Sequence, residues 1–218
     1  MADKFQDKYR IPSARLPGYD YSRQGKYFIT LCTGDKTCYF GNIENKTMHL
    51  SESGKIVHKQ WIKTPGIRPD MNLTLDVFCV MPNHFHAIIE IGENEYNRYN
   101  DVFSDYEIYI MYEIYKNAMN GSNDCAHSRD AMHGVSTGSN VSNRYYNRFG
   151  PQRKNLASII RGFKSACTKQ IRQTTEPGFY WQERYHDHVI RDNQTYWKIR
   201  NYIIHNPENW EDDRFFNT

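Results

Sequence analysis

No C-x-x-C pair occurs among Cys32, Cys38, Cys79, Cys125 and Cys167, which are odd in number and widely scattered. A thiolate zinc site and a disulfide framework are therefore both unexpected. No run of about 18 apolar residues occurs, so a membrane-spanning helix is not expected. Residues 1–10 lack the apolar core of a secretory signal. The expectation is a soluble protein of a reducing cytoplasm, with no membrane partner. Charge of one sign is also scarce: the net charge is only +3, too little to imply a nucleic-acid partner by itself. Apolar residues are few as well, 39% of the chain, so aliphatic side chains alone would make a thin core.

Aromatic residues fill that gap. They make up 15% of the chain and include 17 tyrosines, which suit either a core or a surface on which bases stack. At 218 residues the chain fits one domain with insertions. Residues 1–24 carry Lys8, Arg10, Arg15 and Arg23 among Pro12, Pro17 and Gly18, the pattern of a basic N-terminal arm. Residues 25–218 form the domain proper, interrupted by an insertion at about 93–153. Inside the insertion, residues 105–119 are ambiguous between helix and strand. Residues 120–143 are rich in Gly, Ser, Asn and Asp and read as a loop, so His127 and His133 have nothing to fix their geometry.

Strands are predicted at residues 26–33 (KYFITLCT), 73–81 and 85–91, with a short hairpin through 38–43 and 47–50. Ser51 and Gly54 open a helix to about residue 63, ended by Pro65-Gly66. Residues 155–173 make an amphipathic helix whose buried stripe is Leu156, Ile159, Ile160, Phe163, Cys167 and Ile171. Arg153, Lys154, Arg161, Lys164, Lys169 and Arg172 decorate residues 151–173 without one Asp or Glu. Such one-signed decoration fits phosphate contact or a plain basic surface. A strand follows at 185–191, and Asp192 or Asn193 caps a last helix to about His205, stopped by Pro207. Trp210, Phe215 and Phe216 predict that the tail packs back on the body.

Two histidines one residue apart, His84 and His86, lie in an apolar strand. Alternation puts both on one face and Phe85 on the other, and two neutral imidazoles are half of a divalent-metal site. His186 and His188 form a rival pair that spacing alone does not rank. On the last helix Lys198, Tyr202 and Asn206 share a face at i, i+4, i+8. The Tyr196, Ile199 and Ile203 stripe beside them would dock the helix. A phenol near a cation can serve as a covalent nucleophile, and the Asn206 amide oxygen can supply a hard third ligand.

Met-Pro-Asn-His84-Phe85-His86-Ala-Ile-Ile resembles the HUH motif of single-tyrosine transposases, in which two histidines flank a bulky apolar residue. Further stretches resemble the REP-associated tyrosine transposases of the insertion-sequence-200-like superfamily. They are Arg15-Leu-Pro-Gly-Tyr-Asp-Tyr, Phe163-Lys164-Ser165 with Thr168-Lys169, Trp181-Gln-Glu-Arg-Tyr, Asp187-His188-Val-Ile-Arg191, and Tyr202-Ile-Ile-His-Asn206-Pro207. The resemblance covers most of the chain outside the insertion.

It implies an α+β fold, a ferredoxin- or RRM-like antiparallel sheet with helices packed on it in the HUH endonuclease architecture. It also implies a DNA nicking and joining endonuclease acting on single-stranded or hairpin DNA through a 5′-phosphotyrosine. By the same resemblance His84 and His86 become the metal ligands with Asn206, Mg²⁺ or Mn²⁺ the ion, and Tyr202 the nucleophile. His188 and Arg191 take DNA-handling positions. Arg15, Arg161, Lys164, Lys169 and Lys198 complete the expected DNA contacts, and the protein would act as a monomer or homodimer. The competing reading is a non-catalytic RRM-like module that binds structured nucleic acid.

Overall fold

The computed structural model describes residues 19–98 and 153–216 in full, together with the backbone of two short paired strands, β1 (Lys4–Phe5) and β2 (Lys8–Tyr9). Arg15, residues 105–119 and the loop at 120–143 with His127 and His133 lie outside the described residues. The chain divides into two compact units, Met1–Arg15 with Tyr21–Arg98 and Pro151–Thr218, and Leu16–Asp20 with Tyr99–Gly150. The first unit holds every element named below.

A four-stranded antiparallel sheet organises that unit. β3 (Gly25–Cys32) pairs on one side with β7 (His84–Ile91) and on the other with β8 (His186–Ile190); β7 also pairs with β6 (Leu73–Val80). The spatial order is β6-β7-β3-β8. With α1 (Glu52–Ile67) between β3 and β6, and α2 (Leu156–Thr174) between β7 and β8, the chain follows the β-α-β-β-α-β path of a ferredoxin-like unit. The fold is α+β, as the sequence predicts. The hairpin of β4 (Gly41–Glu44) and β5 (Thr47–Leu50) forms a separate two-stranded ribbon.

Strand alternation sorts the core. Tyr27, Ile29, Leu31, Phe85, Ala87 and Ile89 are buried on the face covered by α1 and α2. Trp61 packs there at 5.1 Å from Phe85 and 5.0 Å from Phe163. Each such side chain contributes roughly 1.5–3 kcal/mol by leaving water, so aromatic residues do supply the bulk that scarce aliphatics could not. The helices run antiparallel, tied by Ser53 to Thr175 at 2.7 Å and Gln60 to Gln170 at 2.8 Å. Tyr21, inside the stretch read as a basic arm, is buried with its ring 6.0 Å from that of Tyr27.

Helix ends follow local chemistry. The Ser51 hydroxyl accepts from Gly54 N–H, and Asn155 forms a capping box with Ser158. One boundary differs from expectation: α1 runs through Pro65 to Ile67 instead of stopping at Pro65-Gly66. A proline so near the C-terminus deletes a single intrahelical bond, and the Arg68 N–H still closes the last turn onto Thr64 O (3.1 Å) and Pro65 O (3.2 Å).

The opposite face of the sheet is covered by α3 (Asn193–His205), whose N-cap is Asp192, and by a 3-10 turn, Pro207–Asp212. Ile203 joins Ile88 and Ile190 in a small cluster, with Tyr196 and Ile199 packed against it. This is the docking stripe expected from the sequence. Trp210 is buried, so the tail does return to the body.

Candidate active site

Both histidines enter that second face. His84 and His86 are buried with ring centroids 4.5 Å apart, while Phe85 points into the helix-covered core. The walls around them are aromatic. Phe28 stacks on His86 at 5.5 Å; Phe215 and Trp210 lie 4.6 and 5.9 Å from His84. Water is largely excluded, and an excluded imidazole resists protonation. Burial pushes the His84 pKa down to about 4, a shift opposed by the Asp213 carboxylate and the nearby Asn206 amide. Burial and the neighbouring His84 hold His86 well below the usual histidine range. Both rings are neutral ligands at physiological pH.

Neighbours orient the rings. Asn83 donates its Nδ2 to Lys36 O (3.0 Å) and Phe215 O (2.8 Å), so its Oδ1, 2.9 Å from His84 Nδ1, acts as acceptor. The His84 proton therefore sits on Nδ1, and Nε2 presents a lone pair. That Nε2 is buried without a hydrogen-bond partner. His86 Nδ1 lies 2.8 Å from Thr30 Oγ1, and the Tyr202 hydroxyl lies 3.1 Å from His86 Nε2.

α3 and the tail supply the rest. Tyr202 is 43% exposed, with one edge on the imidazoles and the other reachable from solvent. Burial and the Asp213 carboxylate raise its pKa. Asn206 donates Nδ2 to Asp213 Oδ2 at 3.1 Å, and its Oδ1 is left buried without a partner. The other Tyr202 contact is also to Asp213, at 3.4 Å. One ligand atom each from His84, His86 and Asp213 lies within 4.8 Å of the others, the one grouping of three such side chains among the described residues that could hold a metal ion.

The donor set fits a cation. Two unpaired buried polar atoms, His84 Nε2 and Asn206 Oδ1, would each cost roughly 1–3 kcal/mol left alone, and a metal ion satisfies both while balancing the Asp213 carboxylate.

Of the residues singled out in the sequence, the structure brings together His84, His86, Tyr202 and Asn206. The rival His186 and His188 are exposed on the edge strand β8. Thr30 pairs with His86 on one side and His186 on the other, so His186 stands two strand spacings, roughly 10 Å, from His86. Arg161, Lys169, Arg191 and Lys198 are exposed. Lys164 is half-buried, and its ammonium donates to Gln182 O at 2.5 Å, so a phosphate there would compete with that carbonyl.

Sequence reasoning missed Asp213, Thr30, Asn83 and Arg214. The Arg214 guanidinium, 4.5 Å over the Phe215 ring, acts to lower the Tyr202, His84 and His86 pKa values. The aromatic tail was the only available signal for Asp213 and Arg214. Asn83 stood in the motif, but its role shows only once the tail's carbonyl reaches it.

No family model matches the sequence. The solved structure of a REP-associated tyrosine transposase bound to a REP hairpin is similar with a TM-score of 0.47 and 16% identity, over 88% of this chain and 72% of that one. A proposed transposase from Deinococcus radiodurans is similar with a TM-score of 0.32 and 14% identity, over 87% of this chain and 95% of that one. An uncharacterised protein of Haemophilus influenzae is 30% identical over 204 residues, which cover 94% of this chain and 92% of that protein. With that identity sustained over nearly both full lengths, the chain belongs to the same family as the Haemophilus influenzae protein.

Proposed function

We propose that the chain is a metal-dependent single-stranded DNA endonuclease and strand transferase acting at hairpin-bearing DNA, a transposase of the REP-associated tyrosine class. One observation carries the reading: the Tyr202 hydroxyl lies 3.1 Å from His86 Nε2, beside His84 and Asp213, in an aromatic-walled site open on the phenol's side. His84, His86 and Asp213, with the Asn206 oxygen, would hold Mg²⁺ or Mn²⁺, and the nitrogen donors favour Mn²⁺. When bound, such an ion supplies Lewis-acid stabilisation of phosphate charge.

Tyr202 then attacks phosphorus in line. Its oxygen–phosphorus bond forms as the bond to the 3′-oxygen breaks; the phenolic proton passes to solvent and the departing oxygen takes one up. The 5′-phosphotyrosine keeps the energy of the diester, so a 3′-hydroxyl from another strand can reverse the step and join DNA. Arg214 stands where it can favour the phenolate. The exposed Arg161, Lys169, Lys198, Arg191 and His188, with Arg15 and Lys164, are the proposed DNA contacts. Tyr202 and both histidines converge within one chain, which supports assembly of the site without a partner subunit.

The test uses a hairpin-bearing single strand with Mn²⁺ or Mg²⁺. The protein should form a denaturation-resistant DNA adduct that Tyr202→Phe abolishes while DNA affinity stays within about twofold. Combined His84→Ala and His86→Ala should remove both cleavage and metal dependence, and His186→Ala should remove neither. Adduct formation by Tyr202→Phe would refute the assignment. Binding that ignores EDTA, with no adduct on any strand, would favour the non-catalytic module instead.

A further inference from the structure

α3 is a lightly held helix. Ile203 is its only fully buried residue, and Tyr196 and Ile199 are packed only in part. Yet it carries Tyr202, whose hydroxyl must be set against His86 to within a fraction of an ångström for in-line attack. Apolar contacts of this kind allow a helix to slide or rotate, because they are not directional. Directional contacts are needed, and besides those that Tyr202 and Asn206 make in the site itself, α3 makes them at Tyr196 and Arg200.

Tyr196 donates its phenolic hydrogen to Asp76 Oδ2 at 2.6 Å, and Arg200 Nε lies 3.8 Å from Asp76 Oδ1. Asp76 sits in β6 where the pairing with β7 shifts register between Leu75 and Phe78. Such an irregularity re-aims side chains, and here it goes with a carboxylate that reaches the helix. The Lys26 ammonium stands 5.9 Å from the Tyr196 ring centroid and is paired with Glu90, its cross-strand partner on β7. One polar network therefore joins β3, β6 and β7 to α3. Lys26 and Glu90 lie at the opposite end of β3 and β7 from Cys32 and His84.

Tyr202 lies six positions after Tyr196, about 9 Å of helix rise. A helix pinned at Tyr196 and Arg200 has its axial position and its rotation fixed, and with them the place of the Tyr202 hydroxyl. We infer that Asp76 is a positioning residue: through Tyr196 and Arg200 it sets the register of α3 on the sheet and so aligns Tyr202 with the histidine pair. The inference rests on Tyr202 being the nucleophile. Asp76 touches neither the ion ligands nor the reacting atoms.

Tyr196→Phe removes one hydroxyl and keeps the ring, and Asp76→Asn keeps the shape and weakens the acceptor. The measurements are single-turnover adduct formation on a saturating hairpin strand, affinity for that strand, Mn²⁺ affinity, and amide hydrogen exchange across residues 193–205. Tyr196→Phe and Asp76→Asn should each slow adduct formation on the order of tenfold to a hundredfold. Strand and Mn²⁺ affinities should stay within about twofold, with faster exchange in α3 and unchanged exchange in β3 and β7. Asp76→Glu should recover part of the rate.

An unchanged rate, or a loss confined to strand affinity, overturns the inference. If the wild-type protein makes no adduct on any strand, the nuclease reading fails and alignment of a nucleophile fails with it. The tether is still decided by exchange: faster exchange in α3 upholds it, and unchanged exchange removes it.

Discussion

The buried imidazole of His84 makes the fold acid-sensitive in a way that can be calculated. Its pKa in the folded protein is about 4, below the value of about 6.5 for an unfolded histidine. The unfolded chain therefore binds a proton first. Above about pH 6.5 its protonation has no effect on stability; as pH falls toward 4 the unfolded state is favoured progressively, and below that the difference is constant. The full shift corresponds to about 3 kcal/mol, and at pH 5 about 2 kcal/mol of it is already lost.

With a urea slope of about 2 kcal/mol per molar, His84 alone lowers the unfolding midpoint by about 1 M between pH 7.5 and pH 5. Urea titrations in EDTA measure this. His84→Gln removes the ionisable group and lowers stability at both pH values, so the informative quantity is the fall between them, which should shrink by about 2 kcal/mol relative to wild type. Added Mn²⁺ should raise the wild-type midpoint about equally at pH 7.5 and pH 5, because an imidazole with a folded pKa of about 4 is still mostly neutral at pH 5. The gain should shrink only as pH falls below about 4. Equal falls in wild type and variant would refute the argument that His84 is buried and neutral.

Thr30→Val deletes the partner of His86 Nδ1 and should weaken Mn²⁺ binding on the order of tenfold by calorimetry, the usual cost of losing an orienting neighbour. Asp213→Asn removes the one carboxylate of the grouping and should weaken Mn²⁺ binding by at least as much, while lowering the Tyr202 pKa seen by ultraviolet titration because that carboxylate raises it. Gly54→Ala would put a Cβ 2.1 Å from Phe40 O, a backbone atom with no easy retreat. It should cost about 1–3 kcal/mol in urea unfolding, even though alanine favours helix.

Much of this arrangement was written in local patterns. Runs rich in β-branched and aromatic residues gave β3, β6 and β7, with β8 expected at 185–191, and strand alternation placed His84 and His86 together with Phe85 opposed. Spacing of Leu156, Ile159, Ile160, Phe163, Cys167 and Ile171 gave α2, and the i, i+4 spacing of Tyr202 and Asn206 put both on the side of α3 and its C-cap that meets the histidines. What stayed hidden depends on contacts distant in sequence. Asp213 counts only because Trp210 and Phe215 fold its segment over His84, and nothing local distinguishes it from Asp212. Asp76 looks like an ordinary strand carboxylate until the slip in pairing turns it toward Tyr196. Pro65 misled because proline stops most helices, and here the last turn had only one bond to lose.

The strand bearing both imidazoles is hydrogen-bonded along each edge, to β3 and to β6, whereas the phenol rides on a peripheral segment. The two halves of the site thus differ in stiffness. Displacing the histidines means tearing the sheet apart; displacing the tyrosine requires only that α3 lift. Among the described residues, a protease acting on the native protein should cut within or beside α3 first, separating Tyr202, Asn206 and Asp213 from a sheet that keeps both histidines.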